Sequence, residues 1–128
     1  MARFFLTIAP ILAALAVVAG AFASHALREK VSDRALEIFQ TGAQYQMYHA
    51  LALLAVGLLM GRLELPSTLL TLVGFAFLLG IVLFSGSLYA LALSGTKILG
   101  AITPLGGAAF ILGWLALAYA SWTIQDLS

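Results

Sequence analysis

Four long apolar runs, at about residues 4–24, 44–61, 66–92 and 103–122, constrain this chain more than any other feature. Each reaches or approaches the roughly 20 residues that cross a ~30 Å hydrocarbon core at 1.5 Å per residue. Lipid offers a backbone no hydrogen-bond partners, so each run must satisfy its own polar groups as a helix. The alternation of a membrane β-strand is absent. With 63% of its 128 residues hydrophobic and 9% charged, a chain this short is too apolar for a water-soluble core. The expected class is all-α: one membrane domain over residues 1–128, an integral membrane four-helix bundle. The first run and the small residues of "AFASHA" have some look of a signal peptide. The run is longer than the usual signal core of roughly 7–15 residues, so its retention as a membrane helix is expected.

Between the runs, local chemistry sets the boundaries. Segment 25–41 holds most of the charged side chains, while Leu27, Val31, Ala35, Ile38 and Phe39 recur at helical spacing. That pattern predicts an amphipathic connector helix between spans one and two, lying across the end of the bundle, with Gly42 closing it. Arg62 and Glu64 mark a turn, Pro66 opens span three, and Thr103-Pro104 reads as an N-cap followed by proline at the first helical position. Trp122 suits an interfacial aromatic belt. Span three, at roughly 40 Å, exceeds the hydrocarbon core, and "SGS" at 85–87 is the expected break. Small residues such as Ala16, Gly57, Gly80 and Gly113 recur on all four spans and predict close helix packing.

Polar side chains inside the spans are few. In "TGAQYQMYHALALL" (41–54), Tyr45, Tyr48 and His49 share one helical face and are expected near the membrane interface, pointing inward. The candidate polar pocket comprises His25, Tyr45, Gln46, Tyr48, His49, Ser85, Ser87, Tyr89 and Thr103. The plain reading of these residues is interfacial anchoring and interhelical hydrogen bonding. His25 and His49 are expected to face the interior on the same side, close to Tyr45 or the "SGS" bend. Such a pair is the only metal- or haem-ligating arrangement on offer, and it lacks a carboxylate at helical spacing, so no metal and no cofactor is expected. A net charge of +1 without a basic tract excludes a nucleic-acid partner, and the absence of cysteine excludes disulfides and thiol chemistry. All Asp, Glu, Lys and Arg lie in loops or at ends, which argues against ion-coupled transport. No catalytic triad, phosphate loop or paired carboxylate is visible, so enzymatic activity is not expected.

The motifs "GAFASHAL" (20–27), "TGAQYQMYHALALL" (41–54), "LFSGSLYAL" (83–91) and "ITPLGGAAFILGW" (102–114) together resemble the small membrane proteins of domain of unknown function 423. That group includes bacterial YgdD-type proteins and the eukaryotic transmembrane protein 256. The resemblance spans nearly the whole chain; at Ala23-Ser24 the family more often shows Gly-Ala. It implies a multi-pass membrane protein and brings no established activity. Besides candidate-pocket residues, its motif positions fall on Thr41, Gly42, Gly86, Pro104, Gly106 and Gly107.

Two functions stand in front. The first is a structural or accessory component of a larger membrane complex, with the lipid bilayer and other membrane proteins, or a second copy, as partners. The alternative is a minimal transporter or channel with a polar pocket near His25, Tyr45, His49 and Ser85–Ser87. Arg28, Lys30, Arg34 and Lys97 on one side outnumber Arg3 and Arg62 on the other. In a bacterial inner membrane this places the connector in the cytoplasm and both termini outside.

Overall fold

The computed structural model describes residues 1–62 and 68–123, and every described element is helical. Helix α1 (Ala2–Phe22) continues through a single π turn, Ala23–Leu27. Helix α2 spans Asp33–Arg62 and α3 spans Thr68–Gly80. A second π turn, Ile81–Ser85, leads directly into α4 (Gly86–Ser94). A 3-10 turn at Lys97–Ala101 precedes α5 (Thr103–Thr123). Among the described residues, three stretches are long and apolar enough to cross a membrane: Ala2–Leu27, Thr68–Ser94 and Lys97–Thr123. Val17, Val18, Leu72, Val82, Leu112 and Leu115 are each more than 60% exposed. Apolar surface on that scale needs a non-aqueous neighbour.

The segment expected to form a separate connector helix does something else. Residues 23–27 extend α1, a turn follows, and Asp33 begins a 30-residue helix that runs without interruption to Arg62. Ser32 decides this start. Its hydroxyl accepts the Ala35 N–H at 3.1 Å, and its carbonyl accepts from Leu36. A serine cap with Asp33 in the first turn is a strong helix start, and it outweighs the amphipathic periodicity that joins 25 to 41. Gly42 closes nothing. It lies buried inside α2, where a Cβ would stand 2.9 Å from the Tyr89 ring.

Two other boundaries differ from expectation. "SGS" makes no break: the Gly86 N–H reaches the Ile81 carbonyl, one residue beyond the α-helical partner, and the helix continues. Nor does the Thr103 side chain cap α5. Its hydroxyl is bonded to Ser87, while the Leu105 and Gly106 N–H groups share the Ile102 carbonyl. Glu64 and Pro66 lie outside the described residues.

Packing follows one rule: an aromatic ring on one helix sits on a glycine of another. Phe5 of α1 covers Gly74, Phe77 covers Gly113, Phe110 covers Gly80 and Tyr89 covers Gly42, while Gly106 packs directly against the backbone of Phe84. Phe5, Leu53, Val56, Val73, Phe77 and Phe110 form the centre of the main core. Ala23, Leu27, Phe39 and Ala92 form a second core at the other end. Helix α1 runs antiparallel to α2, with Leu6 against Gly57 near one end and Leu27 beside Phe39 near the other.

The glycines are not equivalent. A Cβ on Gly106 would lie 2.7 Å from the Phe84 Cα, where only backbone movement relieves the clash, whereas nothing lies within 4 Å of the same position on Gly20. Gly106→Ala is expected to cost about 1–3 kcal/mol, and Gly20→Ala is expected to leave stability unchanged or slightly raised. Thermal unfolding of the two variants in detergent checks this.

Candidate functional site

Gln46 is the hinge of the polar residues. Its Nε2 donates to the Leu12 carbonyl of α1 at 2.8 Å, and its Oε1 accepts from the Tyr89 hydroxyl of α4 at 2.7 Å. One side chain therefore ties three helices. Helix α2 places Gln46 on its buried face together with Gly42, Ala43, His49 and Ala50, the spacing expected of an inward stripe.

His49, one turn further along, is buried and uses both ring nitrogens. Nδ1 bonds the Tyr45 carbonyl at 2.7 Å, and Nε2 bonds Trp114 Nε1 at 3.1 Å. A carbonyl only accepts and an indole N–H only donates, so the imidazole is neutral with its proton on Nδ1. The ring lies flat on Phe110, with centroids 3.4 Å apart and planes 9° apart, and meets Trp114 edge-on. No lone pair remains for a metal.

The other pocket candidates divide between two places. Ser87 donates to the Phe84 carbonyl at 3.0 Å, so Thr103 donates to Ser87 across 2.7 Å. This pair stitches α4 to the start of α5. Tyr48 accepts from Gln44 at 2.6 Å. Tyr45 stacks near Phe84, and Tyr45, Tyr48 and His49 line a lateral cavity of about 640 Å³ closed on the far side by Phe110 and Trp114. Ser85 is completely buried, and its hydroxyl has no hydrogen-bond partner among the described residues.

His25 is not part of this assembly. It is exposed in the π turn at the end of α1. Leu12 and Gln46 stand level. Counting 1.5 Å per residue from that level, the two imidazoles are roughly 24 Å apart along the helix axes. The expected histidine pair does not form. Leu12 also lies near the middle of the 26 residues from Ala2 to Leu27, so the Gln46–His49 cluster sits half-way along α1 rather than at a helix mouth. The reason is again the Ser32 cap, which starts α2 three turns earlier than the polar stretch.

Trp114 and Phe110 complete the site and were not singled out by sequence reasoning. Their signal is spacing: with Gly106, Gly107 and Gly113 they place small and aromatic side chains in alternation on the faces of α5 that meet α2 and α3.

Removing the Tyr89 hydroxyl or the Gln46 amide should each cost about 1 kcal/mol. A double-mutant cycle with Tyr89→Phe and Gln46→Leu, read by unfolding in detergent, is expected to give a coupling of about 0.6 kcal/mol. Ser85→Ala removes an unpaired buried hydroxyl and is expected to leave stability unchanged or raised, whereas Ser87→Ala strands Thr103 and lowers it.

Residues 19–107 match the family described as "Protein of unknown function (DUF423)". The chain is 46% identical to the UPF0382 membrane protein YwdK of Bacillus subtilis over 119 residues, which cover 93% of this chain and 96% of the relative. It is 44% identical to a UPF0382 membrane protein of Staphylococcus epidermidis, covering 93% and 95% of the two chains. A UPF0382 membrane protein of Haemophilus influenzae is 41% identical over 96% of this chain and 97% of its own. No solved structure gives a significant match.

Proposed function

The chain belongs to the DUF423 family, and from that premise we propose that it is a four-span, non-enzymatic accessory component of a larger membrane complex. The carrying observation is that the two most buried polar side chains of α2, Gln46 and His49, each hold two hydrogen-bond partners within the protein. A transport path needs polar groups that exchange partners with a passing solute. These groups hold helices together.

Helix α2 supplies the fourth span. It lies alongside α1 from Gly57 and Leu6 at one end, through Gln46 and Leu12, to Phe39 and Leu27 at the other. A helix packed along the length of a spanning neighbour crosses the same bilayer, and its polar face is turned inward. Retention of α1 is supported by Phe5, wholly buried over Gly74.

Ser32, Arg34, Gly95 and Lys97 line one depression, so the α1–α2 turn and the α4–α5 turn share an end of the molecule. That end carries Arg28, Lys30, Arg34 and Lys97, against Arg3 and Arg62 at the other, and it is assigned to the cytoplasm of a bacterial inner membrane, with the termini outside.

Two measurements test this reading. Gentle detergent extraction of a tagged chain is expected to recover a membrane protein in fixed stoichiometry. Solute or ion flux through liposomes containing the pure protein would refute the accessory role. For the topology, a reporter active only outside the cytoplasm is expected to be active when fused at the C-terminus. Its silence in a well-inserted fusion would reverse the orientation.

A further inference from the structure

The lateral cavity beside His49 does not end at its own walls. Phe84 separates it from a second depression of about 480 Å³ and lines both. The second is bounded by Arg34, Glu37, Gln40, Thr41, Gln44 and Thr103. The two are stacked along the same pair of elements. Gln44 and Tyr48 are one turn apart on α2, and Thr103 and Gly107 are one turn apart on α5, so together they form one groove between these helices.

The groove changes character along its length. The end at Arg34 is charged and polar; the deep end, between Tyr48, Leu51, Ile111 and Trp114, is almost wholly apolar. Arg34 is the cation of the polar mouth, with Glu37 bridged to it at 3.3 Å on the exposed surface. An exposed pair of that kind is weak and exchanges readily for a stronger anion.

Length narrows the choice of occupant. From Arg34 to Leu51, α2 advances roughly 25 Å. That is close to one leaflet with its headgroups, half of the ~40–45 Å of a whole bilayer. The α2 residues that line the two depressions run from Arg34 to Leu51. A partner transmembrane helix would need a seat along the whole depth, whereas a lipid of one leaflet needs only this half.

We propose that this groove is a binding site for one glycerophospholipid with an anionic head, its phosphate at Arg34 and one acyl chain lying between Tyr48 and Trp114 above Gly107. The site does not depend on the accessory role, and partner recovery and lipid binding fail independently.

Trp114 reports on the site, since the chain has only two tryptophans and the other, Trp122, is replaced by phenylalanine for the measurement. The protein in detergent micelles is titrated with phosphatidylglycerol or phosphatidylcholine brominated on the acyl chains. Quenching of Trp114 is expected to saturate, at a mole fraction several-fold lower for phosphatidylglycerol. Gly107→Leu is expected to abolish the saturable phase; a Cβ there is 3.9 Å from Phe84, so the start of the longer side chain is accommodated. Arg34→Gln alters only an exposed side chain and is expected to remove the preference for the anionic lipid while keeping the acyl phase. Quenching that rises linearly and equally in the Gly107→Leu protein means surrounding lipid only and overturns the site. So does the absence of quenching. Saturation without any preference between the two lipids overturns the assignment of the head.

Discussion

The architecture depends on aromatic rings seated on glycines. In water, burying a ring is itself favourable; between helices facing lipid that drive is missing, and attraction comes from close van der Waals contact. A glycine opposite a ring brings two helices near enough for that contact. Phe5 on Gly74 joins α1 to α3, Phe77 and Phe110 join α3 to α5 reciprocally through Gly113 and Gly80, and Tyr89 on Gly42 joins α4 to α2. Tyr89 is the link to the polar chemistry: the ring that fills the Gly42 notch also delivers its hydroxyl to Gln46.

That hydroxyl belongs to a network half-way along α1. Gln46 ties α1, α2 and α4, and His49 ties α2 to α5 through Trp114. Gln46 and His49 each hold two partners, which lowers the cost of their burial where water is scarce, and these bonds set register, which apolar contacts alone define loosely. The stacking of His49 on Phe110 and its bond to Trp114 also shape the wall of the lateral groove. Structural and cavity-lining roles therefore meet on the same side chain: the imidazole nitrogens hold the fold and the ring lines the cavity.

The polar residues 45, 46, 48 and 49 were legible as a group because they interrupt an apolar run. Their depth was not. The depth follows from where α2 begins, and periodicity from Leu27 to Phe39 masked the Ser32 cap that starts it. The same misjudged start made Gly42 look like a helix end and set His25 beside His49. In a chain where every segment favours helix, turns are marked by single capping groups, and those are easily overruled by eye. "SGS" misled for a related reason. Gly86 and two serines are weak helix formers in water, but in a span the backbone keeps its bonds by a π turn rather than releasing them.

Run length and apolarity alone determined that this chain is helical and suited to a membrane, because an unsatisfied peptide group in hydrocarbon admits few alternatives. Among the described residues, the stretches long and apolar enough to cross a membrane are Ala2–Leu27, Thr68–Ser94 and Lys97–Thr123. Tertiary structure alone decided which glycine meets which ring, that Gln46 rather than a histidine pair is the polar centre, and that two depressions share Phe84 as a wall. These outcomes depend on the rotation and relative height of neighbouring helices. Neither quantity is written in the pattern of any one helix; both arise when rings and notches from distant parts of the chain are brought into register.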